Sequence, residues 1–130
     1  MDNYKKLIQK IRECAWRVRL NLTPGYLESV YRNALLVELR KADLFAEKEK
    51  PLVLKYYGEV IGDFRADIVV ENKIIIELKA VSEIHPIHAM QLVNYLKVTG
   101  LDIGVLINYG SEEYTFLPKY RTLDLLNLNR

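Results

Sequence analysis

Half of the 130 residues are hydrophobic, enough for one globular core, and the length leaves little room beyond a single domain, read here as residues 1–130. Nineteen basic against seventeen acidic residues give a net charge of +2, which permits nucleic-acid contact without arguing for it. One cysteine excludes an intrachain disulfide and a cysteine-rich zinc site, and no apolar run approaches the length of a bilayer span.

The start, Met1 to Lys6, runs into an amphipathic segment and lacks the apolar block of a secretory signal, so a cytoplasmic, non-membrane protein is expected. Residues 4–20 place Leu7, Ile8, Ile11, Ala15 and Val18 at helical spacing. Cys14 falls within this pattern and reads as core filler. The other face carries Lys5, Lys6, Arg12, Arg17 and Arg19, expected to be solvated.

Thr23-Pro24 then predicts a second helix over 24–42, with threonine as cap and proline in the first turn. Leu27, Val30, Tyr31, Ala34, Leu35 and Ala42 share one arc of it. Glu28 lies at the edge of this arc and Glu38 inside it, so both carboxylates need partners. Ten helical residues hold them about 15 Å apart, too far to share one ion.

Three strands follow, Leu52–Tyr57, Phe64–Val70 and Ile74–Ala80, with breaks at Gly58, Gly62 and Glu71-Asn72-Lys73. Another helix runs from His85-Pro86 to Thr99-Gly100, and Ile103–Asn108 reads as a buried strand. Tyr114–Leu117 reads as a further short strand, and the tail from Pro118 to Arg130 has no assignment. The order helix, three strands, helix, strand predicts an α/β fold with a mixed sheet.

The hairpin between the second and third strands has a register that its own pattern selects. Ala66, Ile68 and Val70 form one apolar face, and Ile74, Ile76 and Leu78 another. A three-residue loop pairs these faces throughout, whereas a two-residue loop mixes them. The same register sets Asp67 opposite Glu77 and Arg65 opposite Lys79. Opposed carboxylates repel unless a cation lies between them, and oxygen ligands without His or Cys select Mg²⁺ or Mn²⁺. Glu-x-Lys itself carries no weight, since it also occurs at Glu71-x-Lys73. The pair fits a metal site or a surface charge cluster about equally. On the later helix His88, Gln91 and Tyr95 share a polar stripe, which fits a site wall or a solvent boundary. Of the nine tyrosines, Tyr31, Tyr56 and Tyr57 are expected to fill the core or the sheet faces.

Gly25-Tyr26-Leu27-Glu28-Ser29-Val30-Tyr31 resembles the G-x-x-E-x-x-Y signature of the GxxExxY protein family, within the PD-(D/E)XK nuclease superfamily. The resemblance continues through Gly62–Asp67, Ile75–Ala80, Gln91–Leu96, Thr99–Leu101 and Leu106–Asn108. It implies a restriction-endonuclease-like αβββαβ core and a Mg²⁺- or Mn²⁺-dependent nuclease acting on nucleic acid, with DNA favoured. By that resemblance Asp67 and Glu77 hold the metal and Lys79 is catalytic. Glu28, Gln91 and Tyr95 complete the site, which reads the helix stripe as a site wall. Family members commonly carry a His where Arg19 stands, before the Thr23-Pro24-Gly25 turn. The alternative is an inactive nuclease-fold module that binds nucleic acid or a protein. A homodimer is expected by analogy with other small nuclease domains.

Overall fold

The computed structural model describes residues 2–122. Its elements are α1 (Asp2–Asn21), α2 (Glu28–Lys41), β1 (Ala46–Tyr56), β2 (Glu59–Val70), β3 (Ile74–Lys79), α3 (Pro86–Thr99), β4 (Ile103–Asn108) and β5 (Thr115–Tyr120). The expected mixed α/β architecture is present. Five strands lie in the order β1-β2-β3-β4-β5, with β3 and β4 parallel and every other pair antiparallel. Parallel neighbours cannot be joined by a tight turn, so α3 is the crossover between them. Among the described residues no helix is long and apolar enough to cross a membrane.

The core has two layers. Helices α1 and α2 cover one face of the sheet, where Ile11, Val18, Tyr31, Leu35 and Leu39 meet Ile68, Ile76, Leu78 and Val105. Helix α3 covers the other, where Leu92 and Leu96 meet Val69, Ile75 and Leu106. Burial on both faces explains the unbroken Ile74-Ile75-Ile76 run, because a central strand needs apolar groups on either side. Each fully buried Ile or Leu contributes roughly 1.5–3 kcal/mol. Helix α3 starts at His85, whose ring accepts from the Ile87 N–H at 3.1 Å, and stops at Gly100 in the left-handed region (φ 74°).

Several expectations are corrected. Helix α2 begins at Glu28, with Leu27 as its cap and no side-chain capping bond. Residues 23–26 instead form a turn in which Gly25 takes φ 124°, and its buried arc is Tyr31, Leu35, Leu36 and Leu39. Strand β1 starts at Ala46, because the charged stretch Glu47–Lys50 lies on a sheet edge where water reaches the side chains. Gly62 is inside β2 beside a register shift at Leu54/Lys55, and β5 runs on to Tyr120. On the basic face of α1, Lys5, Lys6, Arg12 and Arg17 are exposed as expected, with Arg12 over the Phe116 ring and Arg17 paired with Glu38 at 2.7 Å, whereas Arg19 is half-buried. Tyr56 and Tyr57 are 62% and 92% exposed on the β1–β2 turn and fill no core. Of the unassigned tail, residues beyond 122 lie outside the described residues.

The β2–β3 hairpin pairs Val70 with Ile74, Val69 with Ile75 and Ile68 with Ile76, as the three-residue loop requires. Glu71 and Asn72 turn the chain with φ of 53° and 54°. The β1–β2 ribbon changes its apolar side partway along. Ala46, Ile68 and Val70 belong to the α1/α2 layer, whereas Leu52 and Ala66 belong to the α3 layer. Ala66 therefore does not share a face with Ile68. The change falls where Glu49 and Asp67 would pair: that pair is missing from the ladder, and Glu49 has φ 52°. A local kink at this point frees Asp67 from ordinary strand alternation.

Candidate functional site

Asp67 sits where the β2–β3 ladder ends. Its Oδ2 accepts the backbone N–H of Leu78 at 2.7 Å, so the side chain stands in for the main-chain partner that β3 would otherwise find on β2. The strands part here, and the direct Asp67/Glu77 and Arg65/Lys79 ladder pairs expected from the hairpin are not formed. Arg65 pairs with Pro51 on β1 instead, and its guanidinium donates to the Glu49 carbonyl at 3.4 Å.

Glu77 lies in β3 at 9% exposure, and its Oε1 is buried without a hydrogen-bond partner. A buried carboxylate in that condition is costly. Burial, then the Asp67 charge, pushes its pKa up to about 8, against the pull of Lys79. Burial also raises Asp67, opposed by the Leu78 N–H, Lys79 and Arg32. Glu28, the first residue of α2, is raised by burial and by Asp67, while Lys79 and Arg32 lower it. Lys79 makes no ion pair within 4.0 Å among the described residues, yet its charge is felt by all three carboxylates.

The spacing Gly25, Glu28, Tyr31 has a local explanation. The Tyr31 hydroxyl donates to the Thr23 carbonyl at 2.6 Å and accepts from the Tyr26 N–H at 3.2 Å. Tyr31 is fully buried and stacks on Tyr109 at 4.9 Å and 8°. The turn is thus tied to the core one helical turn beyond Glu28, which fixes where that carboxylate enters. Glu38 has no part in the site, being the Arg17 partner between α1 and α2.

Helix α3 supplies the opposite wall. Burial, then the charges of Glu77 and Asp67, push the pKa of the Tyr95 hydroxyl up. His88 is lowered by burial and by Lys79, and its Nδ1 accepts the His85 N–H at 3.2 Å. Gln91 is exposed and bonded to none of the carboxylates; it lines an apolar cavity with Phe64 and Tyr95. Asp67, Glu77 and Lys79 stand on β2 and β3 where the ladder ends, and Glu28 of α2 and Tyr95 of α3 are electrostatically coupled to them.

Arg32 was not anticipated. It lies one turn after Glu28, its Nη2 is 3.4 Å from Glu49, and its Nε is buried without a partner. Its i+4 spacing from Glu28 is the one signal that could have pointed to it.

Among the described residues no three His, Cys, Asp or Glu side chains gather into a ready cation cage. Two carboxylates with one orphaned oxygen fit a different kind of ion site. Mg²⁺ is commonly held by one or two carboxylates, with water and substrate phosphate completing the shell.

Residues 5–117 match the family model of the PD-(D/E)XK nuclease superfamily. The chain belongs to that superfamily. A search of the curated proteins found no match. A solved structure described as "Crystal structure of SSO0001" is similar over 78% of this chain, with 21% identity and a TM-score of 0.58. The matched part is 55% of that protein's length, and the likeness supports the restriction-endonuclease-like fold. Asp67 and the Glu77-x-Lys79 run of this chain stand on adjacent strands where the β2–β3 ladder ends.

Proposed function

We propose that this protein is a Mg²⁺- or Mn²⁺-dependent nuclease that hydrolyses phosphodiester bonds, with DNA as the favoured substrate. The observation that carries the reading is the buried, unpartnered Oε1 of Glu77 beside Asp67 and Lys79 in a chain of this superfamily. We read Gly25, Glu28 and Tyr31 as the signature of the GxxExxY branch.

Asp67 and Glu77 would hold the cation, and Leu78 keeps Asp67 oriented toward β3 through its N–H. When bound, the ion supplies Lewis-acid polarisation of the phosphate and an acidified water. Lys79 orients the attacking water and stabilises charge on the phosphate. Arg32, with an unused buried donor, offers a second phosphate contact. Glu28 and Tyr95 frame the two sides, one on each helical layer.

The test joins calorimetric Mn²⁺ titration with cleavage of single- and double-stranded DNA. Wild type binds Mn²⁺ and cleaves, Asp67→Asn loses both, and Lys79→Ala binds Mn²⁺ but does not cleave. Wild type that takes up no Mn²⁺ with or without DNA, and leaves every substrate intact, would sink the proposal.

A further inference from the structure

A cavity of about 380 Å³ lies between α3 and the β1–β2 ribbon. Its wall combines Phe64, Tyr95 and Leu54 with the amides of Gln91 and Asn94 and the ammonium of Lys97. The volume is near the small end of the roughly 300–1,000 Å³ range of small-molecule sites.

Each part of the wall has a recognisable use. The Phe64 and Tyr95 rings lie 5.1 Å apart and are tilted 44°, so neither covers the whole face of the other. Gly62 leaves the Phe64 ring its place, since a β-carbon there would stand 3.0 Å from Cζ. Gln91 and Asn94 are exposed amides, each with two donors and an acceptor for a base edge. Lys97 adds the charge that a phosphate needs. The cavity lies toward the carboxylates, because Phe64 in its wall is on the same strand as Asp67. Phe64 is three strand residues from Asp67, about 10 Å.

We propose that this cavity is a nucleobase subsite: an unpaired base of the substrate stacks on the ring surface that Phe64 and Tyr95 turn to the cavity, its edge is read by Gln91 and Asn94, and Lys97 contacts its phosphate. A paired base offers its edges and hides its faces in the stack, so such a site selects single-stranded or frayed nucleic acid. The inference rests on the nuclease reading of the neighbouring carboxylates and names the substrate class they act on.

The experiment is saturation-transfer NMR on the full chain in chelator, with thymidine and deoxyadenosine 5′-monophosphates as probes and deoxyribose 5-phosphate as the base-free control. Saturation reaches the base protons, and the base-free sugar phosphate shows little. Val98→Trp, which fills the cavity from its rim, weakens nucleotide binding at least about tenfold, the scale of one lost stacking contact. Asn94→Ala, on an exposed helical position where folding is not at stake, weakens it about threefold and shifts the preference between the two bases. Equal binding of the base-free control, or unchanged binding in both variants, overturns the subsite. Mn²⁺ calorimetry on the same proteins in chelator-free buffer separates the two readings. Mn²⁺ uptake without base contact removes the subsite and leaves the nuclease, while base contact without Mn²⁺ uptake does the reverse.

Discussion

Lys79 at the end of β3 and Asn108 at the end of β4 are paired neighbours, yet the two strand ends treat buried polar groups in opposite ways. At the β4 end the polar groups of Asn108 and Tyr109 are met. Asn108, 1% exposed, accepts from Val81 N–H at 3.1 Å and Gly110 N–H at 3.0 Å and donates to the Val81 carbonyl at 2.9 Å. The Tyr109 N–H donates to the Lys79 carbonyl at 2.9 Å, and its hydroxyl to Ala15 at 2.8 Å. Arg19 closes the segment through the carbonyls of Tyr109, Ser111 and Glu112. At the β3 end Glu77 keeps an orphaned oxygen beside another carboxylate. Satisfied polar groups hold a segment still, whereas a buried carboxylate left short is the feature that the proposed ion site explains. The still part grips the chain directly after Lys79 and so steadies the other.

The largest blow to this arrangement is Gly110→Ala. A β-carbon there would collide with the backbone of Ala80 and Val81. Loss of about 3 kcal/mol or more is expected in urea unfolding, because rigid main chain must move. A cost below about 1 kcal/mol would show that the segment after Lys79 is not gripped. Next comes Asn108→Ala, which strands three main-chain groups of Val81 and Gly110 and costs about 2–3 kcal/mol by the same measurement.

Glu77→Gln has the opposite sign. The folded state keeps its proton up to about pH 8, whereas an unfolded glutamate releases it near 4.5. Between those values the native state binds the extra proton, so stability falls as pH rises through the window. Thermal unfolding of metal-free wild type should show that fall. In Glu77→Gln the fall should flatten, with a gain on the order of 1 kcal/mol at the alkaline end. Unchanged wild-type stability across the window would remove the contrast between the two strand ends. The smallest effect is expected at Arg17→Ala, whose ion pair with Glu38 has one partner 46% exposed. About 0.5 kcal/mol is its scale, and salt should reduce it.

What was readable in advance follows periodicity and punctuation. The Ile74–Ile76 run, the His85-Pro86 start and Gly100 stop of α3, and the three-residue loop of the β2–β3 hairpin each depend on neighbours in sequence. The charged Glu47–Lys50 stretch concealed half of β1, since an edge strand need not bury its side chains. Tyr56 and Tyr57 looked like core residues by type and stand in solvent at a turn.

The candidate site divides in the same manner. Glu28, Asp67, Glu77 and Lys79 were singled out by the hairpin pattern and by the resemblance of their motifs to a known family, because residue type and order are local properties. The ladder stopping at Ile68/Ile76, the Asp67 bond to the Leu78 N–H, the approach of Glu28 from α2 and the unused donor of Arg32 belong to the tertiary structure. Where two strands part, and which helix end faces the gap, depends on packing two layers against both faces of one sheet. Contacts between residues far apart in the chain decide that balance, and no window of sequence contains them.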